Sequence, residues 1–140
     1  MINTETPLKK IREMSKNTLL EQLGIEITEL HPDTIIGTMP VDHRTHQPMG
    51  LLHGGASAAL IESLGSVGSS LIVDVRKNSI VGLEVNANHV RGIRAGMVTA
   101  KAKIVHCGRK THIWQVDVTD EKNRLVCTGR LTVLIVPMDK

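Results

Sequence analysis

Between His53 and Asp74 the chain carries one charged side chain, Glu62, in a run otherwise made of Gly, Ala, Ser, Leu, Ile and Val. A helix that small and apolar on nearly every side is expected to be buried almost all round, which requires a sheet to wrap it. Carboxylates are seldom buried without a partner, and an unpaired one costs stability that is usually retained for chemistry. One feature therefore fixes both a fold class and a first candidate residue.

The flanking sequence supplies the sheet. Val98, Ala100, Ala102 and Ile104 alternate with polar residues, and His112, Trp114, Val116 and Val118 share one face of another strand. Val81, Leu83, Val85 and Ala87 alternate in the same way with Gly82, Glu84, Asn86 and Asn88, and Leu125 to Val136 forms a last strand. Earlier strands are expected from Ile25 to His31 and from Thr34 to Val41, joined at Pro32-Asp33. Turn residues at Gly92 to Gly96, at Gly108 and at Glu121-Lys122-Asn123 separate the later ones. Upstream, Thr6-Pro7 reads as a helix start, and Thr18-Leu19-Leu20-Glu21 reads as a capping box for a short helix closed by Gly24. The expectation is one α+β domain over residues 1–140, a long antiparallel sheet around one central helix.

Composition removes several function classes. With no Phe, no Tyr and a single Trp, there are no stacking platforms for nucleic acid. A formal charge of +3 is spread along the chain, which fits a solvated surface and leaves room for an anionic small molecule. Glu62 interrupts the best apolar stretch, so no membrane span is expected, and no signal-peptide core follows Lys9, Lys10 and Arg12. Cys107 and Cys127 lack metal-ligand spacing and read as buried reduced thiols, which points to the cytoplasm. His43 and His46 have no third ligand, so no metal is expected. Gly55-Ala56-Ser57-Ala58-Ala59 lacks the closing Gly of a nucleophile elbow.

The site reading begins at the helix start. Gly54 and Gly55 open the helix, so their N–H groups have no intrahelical acceptor and could serve as an oxyanion hole. Glu62 and Ser66, four residues apart, share a helix face; Ser66 either packs or positions the carboxylate. Gly54 and Glu62 stand roughly 12 Å apart along one helix, too far to meet at one carbonyl. Either they do different work, or each site takes Gly54 from one chain and Glu62 from a second in a symmetric dimer.

The run from Gln47 through His53-Gly54-Gly55 and Glu62 to Ser66 resembles the hotdog-fold acyl-CoA thioesterases, in particular the 4-hydroxybenzoyl-CoA thioesterase type that uses a helix Glu. It is similar to bacterial enzymes acting on 1,4-dihydroxy-2-naphthoyl-CoA in menaquinone synthesis and to those that clear misloaded aryl carriers. The resemblance implies that Glu62 is the catalytic base or nucleophile and that the Gly54 N–H holds the thioester oxygen, with Gln47 and His53 orienting the carbonyl or a water. It further implies CoA contacts at Gly82, His89, Arg91, Gly108, Arg109 and Lys110, although Gly92 stands where many relatives have proline. Met49, Leu51 and Leu52 are expected to wall the acyl pocket. The implied protein hydrolyses aryl or medium-chain acyl-CoA, needs no cofactor beyond the CoA of its substrate, and is at least a homodimer, with a homotetramer as a dimer of dimers. A hotdog hydratase or dehydratase and a non-catalytic acyl-CoA binding protein are the rival readings.

Overall fold

The computed structural model describes residues 1–138. Helices α1 (Leu8–Met14) and α2 (Leu19–Leu23) precede the hairpin β1 (Glu26–His31) and β2 (Thr34–Val41). The long helix α3 (Gly54–Ser70) follows, and then β3 (Asn78–His89), β4 (Gly96–Cys107), β5 (Thr111–Thr119) and β6 (Leu125–Pro137). All pairings are antiparallel, in the order β1-β2-β4-β5-β6-β3, so the chain leaves β2, forms α3 and crosses to the opposite edge of the sheet. One sheet wraps one helix, which is the α+β architecture the sequence implied.

Glycines at the packing face let α3 lie close to the strands. A Cβ on Gly65 would stand 2.6 Å from Leu131 Cδ2, and one on Gly68 would stand 2.5 Å from Trp114 Cη2. Leu60, Ile61 and Leu64 on the helix, with Val98, Ala100, Trp114, Val116 and Leu131 on the sheet, have no exposed surface. Each fully buried aliphatic side chain contributes about 1.5–3 kcal/mol of transfer free energy. The N-terminal segment is tied down by hydrogen bonds from Ile2 N–H to Pro32 O and from Asn3 N–H to Leu71 O, both 2.9 Å.

Three local expectations are corrected. First, α3 is not buried all round: Ala56, Ser57, Leu60, Ile61, Leu64, Gly65, Gly68 and Ser69 are buried, whereas Ala59, Glu62, Ser63, Ser66 and Val67 are only half-buried. The sheet covers one side of the helix, and α2 with α1 shelters the other incompletely. Second, Val81 and Leu83 do not share a face with Val85 and Ala87. A bulge between Gly82 and Glu84 shifts the pairing with β6, so Val81 and Leu83 are exposed while Ile80, Val85 and Ala87 pack on the core.

The third correction concerns helix starts. Pro7, extended at φ −63° and ψ 132°, occupies the cap position of α1, and Thr6 makes no capping bond. Thr18 does flank α2, but its hydroxyl donates to Ser15 O at 2.6 Å, and Glu21 accepts from Asn17 N–H at 2.7 Å. The box thus closes one residue early. Gly24 ends the helix as expected, in the left-handed region at φ 70°.

Candidate active site

The loop into α3 is built by its own hydrogen bonds. Thr45 Oγ1 donates to Pro40 O at 2.7 Å, and His53 N–H donates to Thr45 O at 2.7 Å. His46 Nε2–H donates to Arg94 O at 2.8 Å, and Leu52 N–H to Ile93 O at 2.7 Å, so the loop is bound to the segment after β3. Gln47 to Gly50 forms a tight turn in which Gly50 takes φ 76° and donates to Gln47 O at 2.9 Å. The Gln47 side-chain oxygen accepts the Met49 N–H, which fixes the amide against the turn.

The start of α3 leaves one donor over. His53 is the cap: its Nδ1 accepts the Gly55 N–H at 2.8 Å, and its carbonyl accepts from Ala56 at 3.0 Å and Ser57 at 3.3 Å. Among the described residues nothing accepts the Gly54 N–H. Of the two candidate oxyanion donors, Gly55 is therefore engaged and Gly54 is free, at the positive end of a 17-residue helix.

Gly54 opens onto a cavity of about 410 Å³ lined by Gln47, Leu51, Leu52, Ser57, His89, Arg91 and neighbouring backbone. His89 presses closest: a Cβ on Gly54 would stand 2.8 Å from its Nε2. His53 is not part of this group, because its exposed ring turns to the opposite side of the helix start, beside Leu19, Arg44, Gly55 and Ala59. Met49 is also absent, three-quarters exposed on the outside of the turn. Leu51 and Leu52 do reach the cavity. Buried Ser57 was missed in the sequence, although its place one helical turn after Gly54 was the signal.

Glu62 lies in a second depression, with Leu19, Leu20, Ala59, Ser63, Ser66 and Val67. Its carboxylate has no hydrogen-bond or ion-pair partner among the described residues, and Oε1 fills the space a Gly82 side chain would need. Leu20 and Val67 also wall a larger apolar cavity of about 520 Å³ that runs beneath α1 past Ile11, Met14 and Leu71. Ser66 is four residues beyond Glu62 on the same wall.

The expected CoA residues divide between these two ends. Gly82 is paired with Val133, which is paired with His112, so Glu62 sits near the β4–β5 hairpin that carries Gly108, Arg109 and Lys110. His89 is paired with Cys127 at the far end of β3, and Arg91 N–H donates to Val126 O at 3.2 Å nearby. Arg91, Arg109 and Lys110 are exposed. One chain thus holds a free helix N–H at one end and an unpartnered carboxylate at the other, separated along both α3 and β3. Among the described residues no cluster of His, Cys, Asp and Glu could hold a metal, and no helix is long and apolar enough to cross a membrane.

Known proteins share this fold. The chain is 45% identical over 129 residues to the 1,4-dihydroxy-2-naphthoyl-CoA hydrolase of Escherichia coli, covering 92% of this chain and 93% of that one. It is 44% identical to the proofreading thioesterase EntH of Cronobacter turicensis, with the same coverage. The crystal structure of a mutant thioesterase from Pseudomonas aeruginosa superposes with a TM-score of 0.95 at 44% identity, over 98% of this chain and 99% of that one. A thioesterase structure from Haemophilus influenzae gives 0.93 at 42% identity, over 100% and 98%. Residues 49–127 match the family model of the thioesterase superfamily. With the hotdog architecture and the loop-and-helix motif in place, the chain belongs to the thioesterase superfamily.

Proposed function

We propose that this protein hydrolyses aryl or medium-chain acyl-CoA thioesters to the free acid and CoA, at sites formed between two chains. The observation that carries the reading is the separation of one free helix N–H, at Gly54, from one unpartnered helix carboxylate, at Glu62. An antiparallel pair of chains joined at the exposed edge strand β3 brings the Gly54 end of each against the Glu62 end of the other. Two such dimers pair as a tetramer.

In this site the Gly54 N–H donates to the thioester oxygen as negative charge develops on it, and Gln47 and His89 border the same space. Glu62 of the other chain takes a proton from water as it adds to the carbonyl carbon, or attacks that carbon itself. Collapse of the adduct expels the CoA sulfur as a thiolate that takes up a proton. Where Glu62 has attacked, water then hydrolyses the acyl–Glu62 anhydride to the free acid. Ser66 stands beside the carboxylate to steady it. His53 supports the site by occupying the Gly55 N–H. Arg91, Arg109 and Lys110 are the cations for the CoA phosphates. Leu51 and Leu52 receive the acyl group, with the apolar trough beyond Glu62 as further space. The name of the Escherichia coli relative makes 1,4-dihydroxy-2-naphthoyl-CoA, a menaquinone precursor of the cytoplasm, the first substrate to try.

The test is thiol release from a panel of benzoyl-, naphthoyl- and medium-chain acyl-CoAs. Glu62→Gln keeps shape and removes the base, so it should bind acyl-CoA yet turn over about 10²–10⁴-fold more slowly. Wild-type turnover in this variant removes Glu62 from the chemistry. No thiol release from any substrate, with loss of enoyl-CoA absorbance, makes the protein a hydratase.

A further inference from the structure

A second polar cluster lies at the C-terminal end of α3, beside the hairpin that carries Arg109 and Lys110. Ser69 and Trp114 have no exposed surface and His112 has 2%. Trp114 Nε1–H donates to Ser69 Oγ at 2.9 Å, His112 Nδ1 lies 3.0 Å from the same oxygen, and His112 Nε2 lies 3.6 Å from Cys107 Sγ. Cys107 and His112 are direct cross-strand partners in β4 and β5, so their side chains share the inner face of the sheet. Cys107 is exposed, contrary to the buried thiol expected from the sequence, because it stands at the open end of that face.

The proton directions in this chain can be assigned. An indole N–H only donates, so Ser69 accepts from Trp114, and the hydroxyl proton is left for its other partner, His112 Nδ1. Burial, assisted by the charges of His106 and the N-terminal amine, pushes the His112 pKa below its ordinary 6.5. The ring is therefore neutral at pH 7 and has a single N–H. With Nδ1 accepting, that proton resides on Nε2 and points at the Cys107 sulfur.

We propose that Cys107 is a modification site that undergoes thiol–disulfide exchange with anionic low-molecular-weight disulfides. The thiol proton leaves to solvent, and the His112 Nε2–H stabilises the charge that remains on sulfur. That sulfur attacks one sulfur of the disulfide; the Cys107–S bond forms, the original S–S bond breaks, and the second half departs as a thiolate that takes up a proton from water. Arg109 and Lys110, two and three residues further on, make the approach cationic. Cys127 provides the contrast within the same chain: it is buried, and burial pushes its thiol up.

The test uses the full chain with Cys127→Ser, leaving Cys107 as its one thiol. Reaction with the anionic disulfide 5,5′-dithiobis(2-nitrobenzoate) is followed by absorbance, and the adduct is located by peptide mass. Folded protein should react at least about tenfold faster than the same chain unfolded in urea, and Ser69→Ala, which releases the His112 tautomer, should remove most of that gain. Added salt should slow this probe while leaving neutral 4,4′-dithiodipyridine unaffected. A folded rate no greater than the unfolded one overturns the proposal even where Ser69→Ala does not fold. Equal salt dependence for the two probes overturns the preference for anions.

Discussion

Glu62 and Gly82 occupy complementary space: a side chain at Gly82 would overlap the Glu62 carboxylate oxygen. Gly82 was expected to border CoA; within this chain it lies against the proposed catalytic group. Gly82→Ala should push Glu62 aside. A displacement of about 1 Å costs on the order of 10²-fold in rate, so kcat should fall by that order with the fold retained. Unchanged kcat would mean that Glu62 does not act from this position.

Gly54 allows the N–H to be removed with little backbone strain. It is the first residue of α3, where proline is favoured, and His53 before it already has the extended φ −69°, ψ 130° that proline requires. Gly54→Ala presses on His89 but keeps the donor, so it serves as the control. Gly54→Pro should be about 10²–10³-fold slower than that control in acyl-CoA hydrolysis. Equal rates for the two variants would exclude the Gly54 N–H as the oxyanion donor.

Sharing a site between chains has an arithmetic signature. Glu62→Gln and Gly54→Pro are each expected to be inactive alone. Unfolded, mixed in equal amounts and refolded, they should recover about a quarter of wild-type activity, since half the dimers are hybrid and one of two sites in each is intact. Failure of the mixture to recover, with hybrids verified by mass, would place Gly54 and Glu62 in separate roles.

Packing gives a prediction free of catalysis. Gly68→Ala places a methyl group against Trp114, where nothing flexible can yield. The helix-propensity gain of about 1 kcal/mol is opposed by overpacking of about 1–3 kcal/mol. Urea unfolding should show a net loss of stability and a shift in Trp114 fluorescence. A more stable variant would show that α3 has room to move from the sheet.

His112 gives the pH dependence a sign. Its folded pKa lies below the unfolded value near 6.5, mainly because burial disfavours the charged ring. Between the two values the unfolded chain binds more protons. The contribution is therefore complete above about pH 6.5 and lost as pH falls toward the folded pKa. Urea midpoints should drop between about pH 7 and pH 5, and His112→Gln should flatten that slope. A slope unchanged in the variant would assign it to other groups.

What the sequence made legible was local. The Gln47-to-Ser66 run carries its loop, helix start and carboxylate within 20 residues, and β2 was placed at its observed bounds. What it hid depends on neighbours distant in sequence. Whether Val81 faces the core is settled by the register of β3 against β6, and Cys107 meets His112 only because a hairpin pairs them. The resemblance grouped His53 with Gln47, yet capping turns its ring to the other side of the helix start.

The bulge in β3 divides one strand into two independent surfaces. Without it, the face that presents Ile80 and Gly82 to α3 would go on to present Glu84, Asn86 and Asn88. The one added residue changes phase, so the first half is free to be shaped around a carboxylate while the second half serves the apolar interior. Substitutions that tune the reaction can accumulate upstream of Leu83 with little effect on the core. Straightening the bulge with every residue kept would instead turn three polar side chains inward, so the strand depends on holding its irregular register.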